Sequence, residues 1–201
     1  FQKANKIADE LIEQLLKNVP KKARTSYVFK RLLGTNTVDG VVNEVPNLTE
    51  NLTYVYHIKG RAGTGKSTFM RRVASACLAH GLDLELYHCS FDPDSIDMVL
   101  IPELSICLFD STDPHAFEVE DASREGIIDL YEEAVNPGTD EKYADQIAEL
   151  TKRYKSYMKK GLEVLIEEGE RIIAKDNEIT FSQDEVERIV EKLQERIDKA
   201  N

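Results

Sequence analysis

The sequence predicts an α/β fold: a mostly parallel sheet flanked by helices, with a helical extension at the C-terminal end. Three observations predict it. Gly60-Arg61-Ala62-Gly63-Thr64-Gly65-Lys66-Ser67 lies between a strand pattern and a helix pattern. Short β-branched or apolar runs recur at residues 53–58, 84–89 and 106–109. From about residue 124 onward no strand pattern of comparable strength returns, and the periodicity is helical.

In chain order, residues 2–19 place Ile7, Leu11, Leu15 and Val19 on one helical face, with Ile12 and Leu16 beside them, and Pro20 ends the helix. Tyr27-Val28-Phe29 predicts a short strand. Residues 34–52, with Gly34, Gly40, Pro46 and several Asn and Thr, predict mainly loop with at most a short helix. Thr53-Tyr54-Val55-Tyr56-His57-Ile58 is a strand. After the glycine loop, Phe69, Met70, Val73, Ala74, Cys77 and Leu78 recur at helical spacing up to Gly81. Leu84 to Cys89 is a second strand. Phe91-Asp92-Pro93-Asp94 is a turn, with Asp94 as N-cap of a short helix. Ile106-Cys107-Leu108-Phe109 is a buried central strand that ends in Asp110. Tyr143, Ile147, Leu150, Tyr154, Tyr157, Leu162 and Leu165 mark a long amphipathic helix, with interruption expected near Gly161 or Gly169. Ser182-Gln183-Asp184-Glu185 has the form of a capping box opening a last helix striped by Val186, Ile189, Val190, Leu193 and Ile197. The expected organisation is a linker helix over 1–22, a nucleotide-binding core over 23–136, and a helical extension over 137–201 packing on that core.

The glycine stretch fits the pattern G-x-x-x-x-G-K-[ST] at every fixed position. Glycines let the backbone curl so that successive N–H groups face a phosphate, and the following helix aims its N-terminus at the same anion. The motif therefore assigns Gly60, Arg61, Ala62, Gly63, Thr64, Gly65, Lys66, Ser67 and Thr68 to nucleotide binding, as expected of a P-loop NTPase. Lys66 supplies charge for the β- and γ-phosphates, and the Ser67 hydroxyl suits Mg²⁺. No N-K-x-D follows the loop, so ATP rather than GTP is the expected nucleotide.

Chemistry needs a further group near Mg²⁺ or the attacking oxygen. Asp110, at the C-terminal end of an apolar strand, is expected to hold Mg²⁺ through water; the alternative is a cap on the Ser111-Thr112-Asp113-Pro114 turn. No Glu follows it, which argues against fast autonomous hydrolysis, and Glu103 lies at the wrong end of the strand. Asp92 and Asp94 follow the second strand and so reach the ligand edge, either orienting an acceptor hydroxyl or serving the turn. His115 is a candidate for contacting phosphate or acceptor. His88, Cys89 and His115 lack zinc spacing. Arg24, Arg31, Arg124 and Arg153 are unranked candidates for charge stabilisation.

Composition sets outer limits. The net charge of −11 argues against general nucleic-acid binding, which needs clustered Lys and Arg. Cys77, Cys89 and Cys107 are odd in number, lack C-x-x-C and lie in apolar stretches, so buried free thiols are expected. No apolar run is long enough for a membrane span and no signal peptide is visible, so a cytoplasmic protein is expected. The chain opens on Phe rather than Met and enters a helical pattern directly, so a fragment or processed chain is expected.

Gly60 to Thr68, His88 to Ser95 and Leu108 to His115, with Pro137-Gly138-Thr139-Asp140 and the helical tail, resemble an uncharacterised bacterial family of tandem P-loop ATPase-like proteins. The resemblance implies two related halves in one chain, this sequence being similar to the C-terminal half and residues 1–19 to the joining helix. It thus implies a missing N-terminal P-loop half as partner. Three functions fit: an ATPase module coupling Mg-ATP to movement of the tail or of the twin half, a small-molecule or nucleotide kinase using Asp92 or Asp94 for the acceptor, and a nucleotide-binding scaffold without turnover.

Overall fold

A computed structural model describes residues 2–37, 39–90, 92–112, 116–176 and 182–199. The chain opens with α1 (Gln2–Leu16), then β1 (Val28–Leu32), the hairpin β2 (Gly34–Thr37) and β3 (Gly40–Asn43), and α2 (Val45–Thr49). Next come β4 (Tyr54–Lys59), α3 (Lys66–Ala79), β5 (Leu84–His88), β6 (Ile96–Ile101), a 3₁₀ turn at Pro102–Leu104, β7 (Ile106–Asp110) and β8 (Glu125–Asp129). The chain continues through α4 (Leu130–Ala134), α5 (Thr139–Lys142), α6 (Ala144–Asp176) and α7 (Gln183–Asp198).

Six strands form one mostly parallel sheet in the order β1-β5-β6-β7-β4-β8. β4 is flanked by β7 and β8, both parallel to it, and β1 pairs in parallel with β5. Only β6 runs antiparallel, between β5 and β7. The C-terminal ends of the five parallel strands therefore share one edge, and β6 enters the sheet from that edge.

β6 replaces the short helix expected after Asp94. All six of its residues are buried, and a strand covered on both faces reads as a continuous run rather than an alternation. β8 is also a strand where none was expected. It is a short edge strand with acids at both ends, so its two isoleucines carry little pattern. Gly126 is needed there, because a Cβ at that position would lie 2.6 Å from Tyr54 Oη. Residues 34–52, read mainly as loop, contain the β2–β3 hairpin beside the short helix.

Each face of the sheet carries its own core. On one face Tyr56, Ile58, Leu86, Val99 and Leu108 pack with Phe69, Met70, Val73 and Cys77 of α3. Ala4, Ala8, Leu11 and Leu15 of α1 are buried in the same cluster. Residues 1–22, read as a linker, thus contribute a helix to the core. The stripe was half hidden because two of its buried positions are alanine. On the other face Val55, Met98, Leu100, Cys107 and Phe109 pack with Leu33, Val45 and Tyr87.

The tail differs from expectation. α6 runs unbroken through Gly161 and Gly169 for 33 residues, a length of about 50 Å at 1.5 Å per residue. Neither α6 nor α7 has a buried residue, so their apolar stripes do not pack on the core as expected; α6 touches β2 and α5. Ser182 stands at the N-cap of α7 without a side-chain capping bond. Among the described residues no helix is long and apolar enough to cross a membrane.

Candidate functional site

The Gly60–Ser67 loop joins the end of β4 to the start of α3 at the shared strand edge. Its three glycines have positive φ: 133° at Gly60, 85° at Gly63 and 98° at Gly65. A side chain would strain each of these conformations, which is why the spacing is glycine-specific. Thr64 closes the turn by donating Oγ1–H to the Arg61 carbonyl at 2.9 Å. By helix geometry the first N–H groups of α3 have no partner within the helix, and the dipole adds to their attraction for an anion.

Lys66 is 8% exposed. Its ammonium donates to the Gly60 carbonyl and to the Arg61 carbonyl at 3.1 Å, and lies 3.5 Å from Asp110 Oδ2. Asp110 Oδ1 accepts from Thr112 N–H at 3.1 Å and from the Thr112 hydroxyl. Burial pushes the Asp110 carboxyl above its ordinary range, Lys66 and Thr112 pull it back, and nearby Asp97 pushes it up. Ser67 Oγ accepts from Ile96 N–H at 2.9 Å, tying the start of α3 to the start of β6.

Sequence reasoning missed Asp97. It is 6% exposed, on β6 beside Met98, which pairs with Phe109 in the antiparallel ladder, and its charge is one of the influences that raise the Asp110 carboxyl. The signal was a lone acid inside an apolar run, Ile96-Asp97-Met98-Val99-Leu100-Ile101.

Asp92 and Asp94 do reach the shared edge, in the turn from β5 to β6. Asp92 Oδ1 accepts Asp94 N–H at 3.1 Å, Ser95 N–H bonds the Asp92 carbonyl at 2.8 Å, and Arg71 of α3 donates to the Asp94 carbonyl. The Asp92 carboxylate therefore serves the turn, and Asp94 caps no helix. His115 lies outside the described residues. His88 Nδ1 is 3.1 Å from the Ser95 carbonyl, and no group of described His, Cys, Asp or Glu could hold a metal by itself.

Of the arginines, Arg61 stands at the loop. It is ion-paired with Asp140 of α5, whose N–H donates to Tyr131 Oη at 3.2 Å. The four arginines named from sequence lie elsewhere. Arg24 pairs with Asp83 and Glu103, Arg31 with Glu85, Arg124 donates to the Thr49 and Glu50 carbonyls, and Arg153 is exposed on α6.

The residue after Asp110 faces the other side of the sheet. Ser111 Oγ is 3.2 Å from Nδ1 of buried His57, whose Nε2 is 3.1 Å from Glu125 Oε2. Ser111 also exchanges bonds with the Phe117 backbone, at 3.1 and 3.3 Å. A cleft of about 560 Å³ opens beside this network, with His57, Phe117, Arg124 and Glu125 among its walls. No disulfide joins the three cysteines; Cys77 and Cys107 are buried, with thiols pushed up to about 11 and about 12 by burial, whereas Cys89 is half-buried.

No family model, curated protein or solved structure matches this chain.

Proposed function

We propose that the chain is a P-loop module that binds Mg-ATP and couples the occupancy of its loop to the helical tail. The observation that carries the first half is the cradle itself: three positive-φ glycines, a helix N-terminus, and a buried Lys66 held at its rim. The N–H groups of Gly63 to Thr68 and Lys66 would hold the phosphates, and Ser67 and Asp110 the Mg²⁺. The bound metal would supply charge neutralisation at the phosphates. The chain's own residues orient the nucleotide, and Asp110 balances Lys66.

The coupling half rests on the Arg61–Asp140 pair, which joins the loop to α5 and so to the base of α6. A phosphate in the loop competes with Asp140 for the Arg61 guanidinium. In the same reading the module works beside a twin P-loop half. A kinase reading draws on the Asp92–Asp94 turn at the same edge, although Asp92 is engaged there.

Calorimetry with Mg-ATP tests the module. Saturable binding by the wild type, lost in Lys66→Ala, is expected; equal binding by both proteins refutes it. ATP consumption that rises with one acceptor in a screen would favour the kinase.

A further inference from the structure

We propose that a second copy of this chain docks antiparallel along the exposed face of α6, with the two helices crossing at Gly161. The inference is independent of the nucleotide reading and concerns a helix that the glycine loop does not explain.

The face itself comes first. Leu150, Gly161 and Ile172 are spaced by eleven residues, three helical turns, so they fall in one line along α6. Tyr157, Val164 and Leu165 lie beside that line, and the five apolar side chains are 38% to 67% exposed. With Tyr154 and Met158 on the same side, the stripe presents on the order of 700 Å² per chain, close to the roughly 800 Å² per partner of a standard interface. Gly161, at its middle, has no reason to be glycine within one chain. Glycine weakens a helix interior relative to alanine, and a Cβ there would meet nothing within 4 Å. At a crossing point it lets two backbones approach closely.

Charge identifies the occupant. Over residues 152–160, α6 carries Lys152, Arg153, Lys155, Lys159 and Lys160 and no acid. Over residues 163–170 it carries Glu163, Glu167, Glu168 and Glu170 and no base. The two blocks lie on either side of Gly161. A two-fold antiparallel pair centred there sets each basic block beside the acidic block of the other copy, as a self-complementary interface requires. Leu150 then meets Ile172 of the second copy, Tyr157 meets Leu165, and Arg153 meets Glu168 at the rim. A parallel pair would set like charges together. α7 offers no such match, because its charges alternate as Glu187-Arg188, Glu191-Lys192 and Glu195-Arg196. An anionic membrane would attract the basic block and repel the acidic one. The antiparallel arrangement also leaves the two sheets at opposite ends of the pair, since each α6 joins its core at the Ala144 end.

Sedimentation equilibrium of the whole chain tests this. The wild type should be a dimer at micromolar concentration. Arg153→Glu and Glu168→Arg should each weaken dimerisation about tenfold or more, because each sets like charges together twice per dimer. An equimolar mixture of the two variants should recover the wild-type affinity, since every contact between positions 153 and 168 is then between opposite charges. Circular dichroism should show unchanged helix content in both, as no residue of α6 is buried. Gly161→Leu should also weaken the dimer, by holding the backbones apart, while the helix content holds or rises. A wild type that stays monomeric across the micromolar range overturns the proposal, and binding of that monomer to anionic vesicles would assign the face to lipid instead. A dimer of equal affinity in the wild type and both charge variants is joined elsewhere and overturns it equally. If the charge variants lose helix, Gly161→Leu decides, and an undiminished dimer there rejects the crossing.

Discussion

The two edges of the sheet handle charge in opposite ways. At the edge away from the loop, Lys22 and Arg24 bond Glu103, and Arg24 also pairs with Asp83 at 3.0 Å. These acids sit below their ordinary range. Asp83 is held there first by the Tyr27 backbone N–H and then by Arg24, and Glu103 first by Lys22. At the loop edge Asp110 is half-buried and sits above its ordinary range, raised by burial and, less, by Asp97. One edge has charges arranged to favour the folded chain. The other holds a raised carboxyl beside a buried Lys66, the kind of perturbed group that marks a candidate site.

The largest expected effect is at the loop. Lys66→Ala should weaken Mg-ATP binding by about 100-fold, the worth of a charged hydrogen-bonding group, as read by calorimetry. A smaller loss would mean that the backbone cradle alone supplies most of the affinity.

Asp110→Asn comes next and tests the comparison through pH. The folded chain holds the Asp110 proton more tightly than the unfolded chain. Its contribution to stability therefore falls as pH rises from the ordinary value of 3.8 through the raised folded value. Ligand-free Asp110→Asn should escape that loss and melt higher than the wild type at neutral pH, by about 2 °C. The gap should close on acidification, as followed by thermal unfolding. A variant that melts lower at neutral pH would show that the Lys66 contact outweighs burial.

Asp140→Asn should leave the fold intact and free Arg61. Limited proteolysis should then cut residues 136–143 faster in the ligand-free protein, with little change once Mg-ATP is present. Identical cleavage in both states would uncouple loop and tail.

The smallest effect is expected at the far edge. Glu103→Gln should lower the melting temperature slightly, and less so in high salt, since exposed pairs are screened. The Asp83 and Glu103 contributions are present above their ordinary values of 3.8 and 4.5 and are lost as pH falls. A loss as large in high salt would overturn the assignment of that edge to surface pairing.

What the sequence made legible follows from how each feature is encoded. The Gly60–Ser67 loop could be read because its backbone conformation admits few residue types. Asp110 could be read because an apolar strand ending in an acid is distinctive. Asp97 could not, since its nearness to Asp110 depends on β6 lying beside β7, and a short helix was expected where β6 runs. Arg61 and Asp140 are 79 residues apart, and only the fold joins them. α1 was found as a helix, but its packing on the sheet was not read, because Ala4 and Ala8 mark a close approach without adding hydrophobic pattern. The stripes of α6 and α7 show which side of each helix is apolar, and nothing in periodicity says what that side meets.

α6 is tied to the loop through α5, whose Asp140 grips Arg61; it also touches β2, and none of its residues is fully buried. Such an arm magnifies small displacements. With a length of about 50 Å, a tilt of roughly 10° at the base carries the far end about 9 Å. A side-chain rearrangement at the loop, too small to alter the core, would thus be broadcast as a displacement the size of a helix diameter.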